Sequence, residues 1–268
     1  MKPKPQKNYS KKKNSPIQNE VSPRFDSLDA FRGFAMVWMT IFHFCFDLNY
    51  FGFLNQNFYE DSLWTVQRNG IVSLFLFCAG LSQALGLAQG HAQRLGWSRF
   101  WKRWKQVAGA ALLVSVGSYF IYPESYIYFG VLHAIAVMLI IMRLTYRLKY
   151  GLWVLGFLLI GAKFLLPTLF AAVGSSLEVF NQPLLNWLGI VSYKPRTEDY
   201  VPLIPWLGVM WLGLATGLYL LKHKKQLIVA ELPGALQPLA MLGRYSLSYY
   251  LIHQPVLFGL FMFVKKLF

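Results

Sequence analysis

Four ionisable residues share one apolar segment. In LDAFRGFAMVWMTIFHFCFDLNYFGF (residues 28–53), Asp29, Arg32, His43 and Asp47 interrupt a run otherwise apolar enough to cross a bilayer. Projected on a helix at about 100° per residue, they fall near 0°, −60°, −40° and 0°, an arc about 60° wide. Met36 and Thr40 lie on or beside that arc, and Phe31, Phe34, Val37, Trp38, Ile41, Phe42, Phe44 and Phe46 occupy the rest of the circumference. Ionisable groups within a span face a bundle interior or a water-filled cavity. The chemistry that follows is proton transfer: a carboxylate at i+4 can hold one nitrogen of His43 and leave the other to take a proton. Read blandly, Asp29 and Arg32 form a capping or orientation-setting ion pair, and His43 and Asp47 make a structural polar contact.

Other polar groups at membrane depth extend the pattern. His133 lies in YFGVLHAIAV, Lys163 near the middle of a later apolar run, and His253 in LIHQPVL. There Pro255 leaves the carbonyl of Leu251 without its usual helical donor. Either histidine, read alone, is an interhelical hydrogen bonder, and Lys163 either snorkels or lines a polar cavity. Together these groups outline a path from a basic surface to an acidic one. Asp199 and Trp206, on either side of VPLIP, fall near the acidic end of that path; a solvated loop carboxylate is the equal alternative to a site role for Asp199.

The elements that must position these groups follow from composition. The chain has 268 residues, 56% hydrophobic, 17% aromatic and 14% charged, with mean hydropathy +0.40; soluble domains carry about 25% charged residues. Apolar runs recur near 28–50, 70–90, 107–123, 127–143, 151–173, 202–221 and 246–265. The expectation is an all-α, polytopic integral membrane helical bundle of about seven transmembrane helices. With the N-terminus in the cytoplasm, 19 of the 26 lysines and arginines fall on the inner side and five on the outer. That bias fits the positive-inside rule and puts the C-terminus outside. Residues 1–23 form a basic cytoplasmic tail without fixed structure, uncleaved because no signal-peptide pattern follows, and 24–268 form the transmembrane domain. Within the longest outer loop (175–201), Leu184, Leu185, Trp187, Leu188 and Ile190 suggest a short interfacial helix.

Several classes drop out. The net charge of +15 sits between apolar spans, and no basic, aromatic-interleaved module exists for nucleic acid. Cys45 and Cys78 lie inside apolar runs and read as packing residues. The five histidines are dispersed, so no metal is expected.

RFDSLDAFRGFAMVWMTIFHF resembles the opening of the bacterial relatives of heparan-α-glucosaminide N-acetyltransferase. YFGVLHAIAVMLII, EDYVPLIPWLGVMWLGLATG and LGRYSLSYYLIHQPVLFGLF resemble three further blocks of that family, in the same order, so the likeness covers residues 24–268. Arg32, ten intervening residues and His43 also resemble the Arg–His spacing of the wider transmembrane acyltransferase group. The resemblance implies a membrane acyltransferase that takes an acyl group, acetyl by expectation, from cytosolic acetyl-CoA or another acyl-CoA. The acceptor is a carbohydrate hydroxyl or amine at the outer face. It makes Arg32 the residue nearest the donor and His43 the candidate base. One departure matters: the animal heparan enzyme has no histidine at the position of His43, and its proposed active histidine lies in the following outer loop. Residues 49–69 here contain none.

The expected site is therefore His43 as general base, Asp47 as its orienter, and His133 as oxyanion donor or partner base. Arg32, Arg103, Lys163 and His253 are assigned to the donor, and Asp199 and Trp206 to the acceptor. Expected partners are membrane lipids and a glycan or glycolipid acceptor, with no nucleic acid; the sequence leaves a homo-oligomer open. The expected location is the bacterial inner (plasma) membrane. The competing readings are a transporter using the His, Asp and Lys groups as a proton or solute path, and a non-catalytic membrane scaffold.

Overall fold

Each of the seven apolar runs folds as a helix in the computed structural model, which describes residues 25–92, 96–172, 177–229 and 231–267. The basic tail at 1–23 lies outside the described residues. In chain order the helices are α1 (Asp26–Tyr50), α2 (Ser62–Ala92), α3 (Gly96–Ile121), α4 (Val131–Thr145), α5 (Gly151–Ala172), α6 (Leu203–His223), α7 (Lys225–Val229), α8 (Gln237–Arg244) and α9 (Ser246–Leu267). No strand occurs among the described residues, and the protein is all-α. Among the described residues, five helices are long and apolar enough to cross a membrane: α2, α4 with its short 3₁₀ extension, α5, α6 and α9. α1 and α3 have 25 and 26 residues but are more polar, α1 through its charged stripe and α3 through Arg99, Lys102, Arg103 and Lys105.

Helix ends differ from the apolar runs in a consistent way. α2 begins at Ser62 rather than near 70, and α3 at Gly96 rather than near 107. Hydropathy marks the part of a helix at lipid depth, whereas backbone hydrogen bonding continues through the polar turns on either side. The segment read as an inner loop, 222–245, holds the two short helices α7 and α8.

Helices in lipid gain little from burying apolar side chains against each other, so they associate through close packing of small residues. Three glycine pairs carry that packing here. A Cβ on Gly80 of α2 would lie 2.2 Å from the carbonyl oxygen of Met210, and one on Gly213 of α6 would lie 2.2 Å from that of Phe77. Gly156 of α5 and Gly208 of α6 face each other's carbonyls at 2.9 and 2.6 Å by the same construction. A Cβ on Gly33 of α1 would collide with the carbonyl oxygen of Leu239, and one on Gly243 of α8 with that of Asp29. α6 is thereby held between α2 and α5, and α8 runs antiparallel along the N-terminal half of α1. The chain reverses near Tyr245, and α9 then runs parallel to the C-terminal half of α1.

Among the described residues, the loop expected to carry an interfacial helix makes only 3₁₀ turns, at Glu178–Asn181 and Asn186–Leu188. Pro183 lacks the amide a helix needs, and Gly189 stops the second turn at φ 91°, a left-handed conformation suited to glycine. The chain then lies along 125–131: Glu198 N–H donates to Ser125 O (3.0 Å) and Val201 N–H to Phe129 O (3.3 Å).

Gly213→Ala should destabilise the purified protein, because its methyl must displace the α2 backbone. Gly161→Ala has nothing within 4 Å and should be neutral or stabilising by up to about 1 kcal/mol. Thermal unfolding in detergent checks both.

Candidate active site

The polar stripe of α1 is intact in three dimensions, and each part of it meets a different neighbour. At the N-terminal end of α1, Arg32 donates to Asp29 Oδ1 at 2.8 Å and to the hydroxyl of Ser82 on α2. Ser82 in turn donates to the carbonyl of Cys78. Arg103 of α3 lies within electrostatic range of Arg32 and Asp29. Arg244 of α8 reaches Asp26 at 2.9 Å and Asp29 at 3.9 Å. Two carboxylates and three guanidinium groups thus converge at the start of α1. The Asp29–Arg32 pair exists as expected, and it belongs to a larger basic cluster.

Farther out, α9 supplies the partners of α1. Thr40 donates its one hydroxyl proton to Met36 O at 2.8 Å, so Tyr249 is the donor in its 2.7 Å contact with Thr40. His43 and His253 meet with ring centroids 5.1 Å apart, and Tyr249 stacks on His253 at 6.0 Å and 9°. The Nδ1–H of His253 donates to Tyr250 O at 2.7 Å, which leaves Nε2 with its lone pair, buried and unpartnered. Gln254 donates from Nε2 to Asp47 Oδ1 at 2.9 Å. Asp47 is 1% exposed, and its Oδ2, like Gln254 Oε1, is buried without a hydrogen-bond partner.

This corrects two expectations. Asp47 does not hold His43, since among the described residues its carboxylate is bonded to Gln254 and no His43–Asp47 hydrogen bond forms. His253 does not sit with Arg32 on the donor side but beside His43. Parallel alignment of α9 with α1 accounts for the difference, because it raises the first turns of α9 to the level of the outer half of α1.

His133 stands apart. Gly130 N–H donates to its Nδ1 at 3.3 Å, so Nε2 carries the proton and donates to Ser115 at 2.9 Å; that hydroxyl donates to Ile127 O at 2.7 Å. Both ring nitrogens serve the junction of α3 with α4.

Lys163, Asp199 and Trp206 share an outer cleft of about 280 Å³ with Arg68, Lys194 and Glu198. Lys163 therefore keeps company with the two expected acceptor residues rather than with Arg32. Asp199 is no solvated loop residue. Its Oδ2 accepts Val131 N–H at 2.7 Å, which caps α4, and a Cβ on Gly130 would lie 2.2 Å from that oxygen. Burial pushes its carboxyl above the usual carboxylate range, against the opposing effects of the Val131 amide, Lys194 and Arg68. Tyr250, whose carbonyl holds His253, lies within electrostatic range of Asp199. Tyr122 stands in the same relation to Asp47 and Glu198.

Ser82, Tyr249 and Gln254 were not anticipated. Gln254 adjoins His253 in LIHQP, and a glutamine flanking an intramembrane histidine is a polar signal that could have marked it. Among the described residues, no group of three or more His, Cys, Asp or Glu side chains is arranged to hold a metal ion.

Fold and site together define a polytopic helical membrane protein with a histidine-bearing polar core between its first and last long helices. The chain belongs to the family described as heparan-alpha-glucosaminide N-acetyltransferase, catalytic, whose model matches residues 24–255. Membership implies transmembrane acetyltransferase activity. The chain matches no curated protein and no solved structure.

Asp47→Ala should lower stability by about 1–3 kcal/mol, because it leaves the Gln254 amide unpaired in the bundle. Asp47→Ala combined with Gln254→Leu should recover part of that loss. A double-mutant cycle by thermal unfolding measures the coupling, and strict additivity would exclude it.

Proposed function

We propose that this protein transfers an acetyl group from acetyl-CoA, bound at the cytosolic end of α1, to a carbohydrate hydroxyl or amine at the outer face. One observation carries the reading. His253 Nε2 is buried and unpartnered beside the His43 ring, and Asp47 Oδ2, one turn along α1 from His43, and Oε1 of its partner Gln254 are likewise buried without partners. Buried polar atoms without partners are rare in proteins and expensive in a bilayer, and a reacting group seated among them would satisfy them.

The donor end follows from charge. CoA carries several negative charges, and Arg32 and Arg103 offer guanidinium forks suited to phosphate. Arg32 and His43 are 11 residues apart, about 16 Å along a helix, enough for an extended pantetheine arm to bring its thioester towards the histidines. The N-terminus then lies on the donor side and the C-terminus outside, in a bacterial inner membrane. Membrane lipids surround the bundle, a glycan or glycolipid accepts, and a homo-oligomer is compatible with this arrangement.

In the reaction, His43 takes the proton from the acceptor O–H or N–H as that atom bonds to the acetyl carbonyl carbon. The carbon–sulfur bond breaks, and the CoA thiolate receives the proton as the thiol. His253 supports this step through its fixed tautomer: Nδ1–H is tied to Tyr250, so Nε2 faces the site as an acceptor and can share the proton. Asp47 acts through Gln254, which places the amide oxygen and the second carboxylate oxygen beside the reacting groups. His133, occupied at both nitrogens, holds the outer end of α4 in place and has no part in proton transfer.

Purified protein in nanodiscs, incubated with labelled acetyl-CoA and an envelope-glycan extract, should transfer label to glycan. Absence of both CoA binding and transfer would overturn the proposal. His43→Ala should reduce transfer by roughly 10²–10⁴-fold with CoA binding retained, and normal turnover in that variant would remove His43 as the base. Arg32→Ala should raise KM for the donor with a smaller effect on kcat, and an unchanged donor KM would leave Arg32 only its structural contacts.

A further inference from the structure

We propose that the outer pocket at the end of α1 is a subsite for an uncharged sugar residue of the acceptor. The pocket has a volume of about 360 Å³ and is built from the last turns of α1 and the loop 55–59 that follows them. Among the described residues its lining contains four amides and four aromatic rings and no charged side chain. In this it differs from the cleft around Lys163, where lysine, arginine and carboxylate groups crowd together.

The amides are oriented. Gln56 N–H donates to Asn49 Oδ1 at 2.7 Å, and Trp64 Nε1–H donates to Gln56 Oε1 at 2.6 Å. Both side chains thus use their oxygens within the loop and keep their NH₂ groups available, and Asn55 makes no side-chain hydrogen bond among the described residues. Fixed, neutral donors suit hydroxyl oxygens, which carry no charge to be desolvated or repelled. The rings are held as well. Phe58 stacks on Trp64 with centroids 4.0 Å apart, and Phe46 meets Phe58 and Tyr59 edge-on. Tyr50 is 53% exposed, which leaves an aromatic face for the C–H face of a pyranose, whereas one face of Tyr59 carries the Lys194 ammonium 4.9 Å from its centroid and its hydroxyl donates to Glu198 at 3.4 Å. A pocket already held in shape gives up little freedom on binding.

Position ties the pocket to the reaction centre. Tyr50 follows His43 on the same side of α1, about 10 Å farther along it. A sugar seated there lies at the outer end of the His43–Asp47 stripe, with its inner hydroxyls directed along it. The fate of the bound sugar rests on the acetyltransferase reading above; its binding does not.

The test uses the full-length protein in nanodiscs without acetyl-CoA, so that nothing turns over. Neutral glucose, galactose and mannose oligosaccharides, and a uronic-acid oligosaccharide of equal length, are titrated by saturation-transfer NMR. At least one neutral oligosaccharide should bind. Asn55→Ala, which breaks no internal bond, should weaken it roughly five- to tenfold, and Asn49→Ala at least as much. Asn69→Ala, in the charged cleft, should leave it unchanged. The proposal is overturned if no neutral oligosaccharide binds, if the uronic-acid oligosaccharide alone binds, or if both pocket variants bind like wild type. Binding that persists without any label transfer from acetyl-CoA would support the subsite and remove the acetyltransferase reading. Transfer unaffected by Asn55→Ala and Asn49→Ala would remove the subsite and leave that reading standing.

Discussion

Backbone contact at paired glycines is the constraint on which the rest of the structure depends. In lipid, apolar surface is no reason for helices to meet, and van der Waals approach has to supply one. Gly80 with Gly213 and Gly156 with Gly208 lock α2, α6 and α5 into a slab, while Gly33 with Gly243 draws α8 onto α1. The last pair has the largest functional effect. It fixes where α9 begins, and so which residues of α9 come level with Thr40, His43 and Asp47. A shift of one turn there would separate the two histidines and leave Asp47 without its amide.

Polar groups in the bundle are graded by how fully they are satisfied. At the inner end Arg32, Asp29, Ser82, Arg244 and Asp26 form a connected set of bonds, as structural ion pairs in lipid must. At the outer end Asp199, Val131 and the strip of hydrogen bonds between 125–131 and 197–201 are likewise engaged. Beside His43 bonding capacity is left over, as it also is at Gln83 Nε2 and Asn186 Oδ1. His133, by contrast, is engaged at both ring nitrogens.

The sequence shows some of this and hides the rest for physical reasons. The α1 stripe was legible because a single helix has a fixed period, so four residue types and their spacing define a face. The seven long helices were legible because apolar runs must be helical in lipid. Their ends were not, since polar turns extend a helix without changing its hydropathy. The partner of Asp47 was hidden because Gln254 is 207 positions away, and only the register of α9 against α1 brings it near. Helical spacing pointed instead to His43, whose ring turns towards His253. Asp199 was ambiguous for a related reason: a loop carboxylate looks the same in sequence whether water or a helix amide is its partner. The interfacial helix failed on two particular residues, Pro183 and Gly189, which apolar content alone outweighed.

The polar core is shared between the first and last of the long helices, and this has a consequence for how the protein is made. Chains insert and fold from the N-terminus as they emerge from the ribosome. The polar face of α1 therefore enters the membrane well before Tyr249, His253 and Gln254 exist to meet it. During that interval the scaffold helices α2 to α6 assemble around an α1 whose carboxylate and imidazole have no final partners. Synthesis of α9 supplies all three partners together, so a chain that stops short of it has none of the contacts that join α1 to α9.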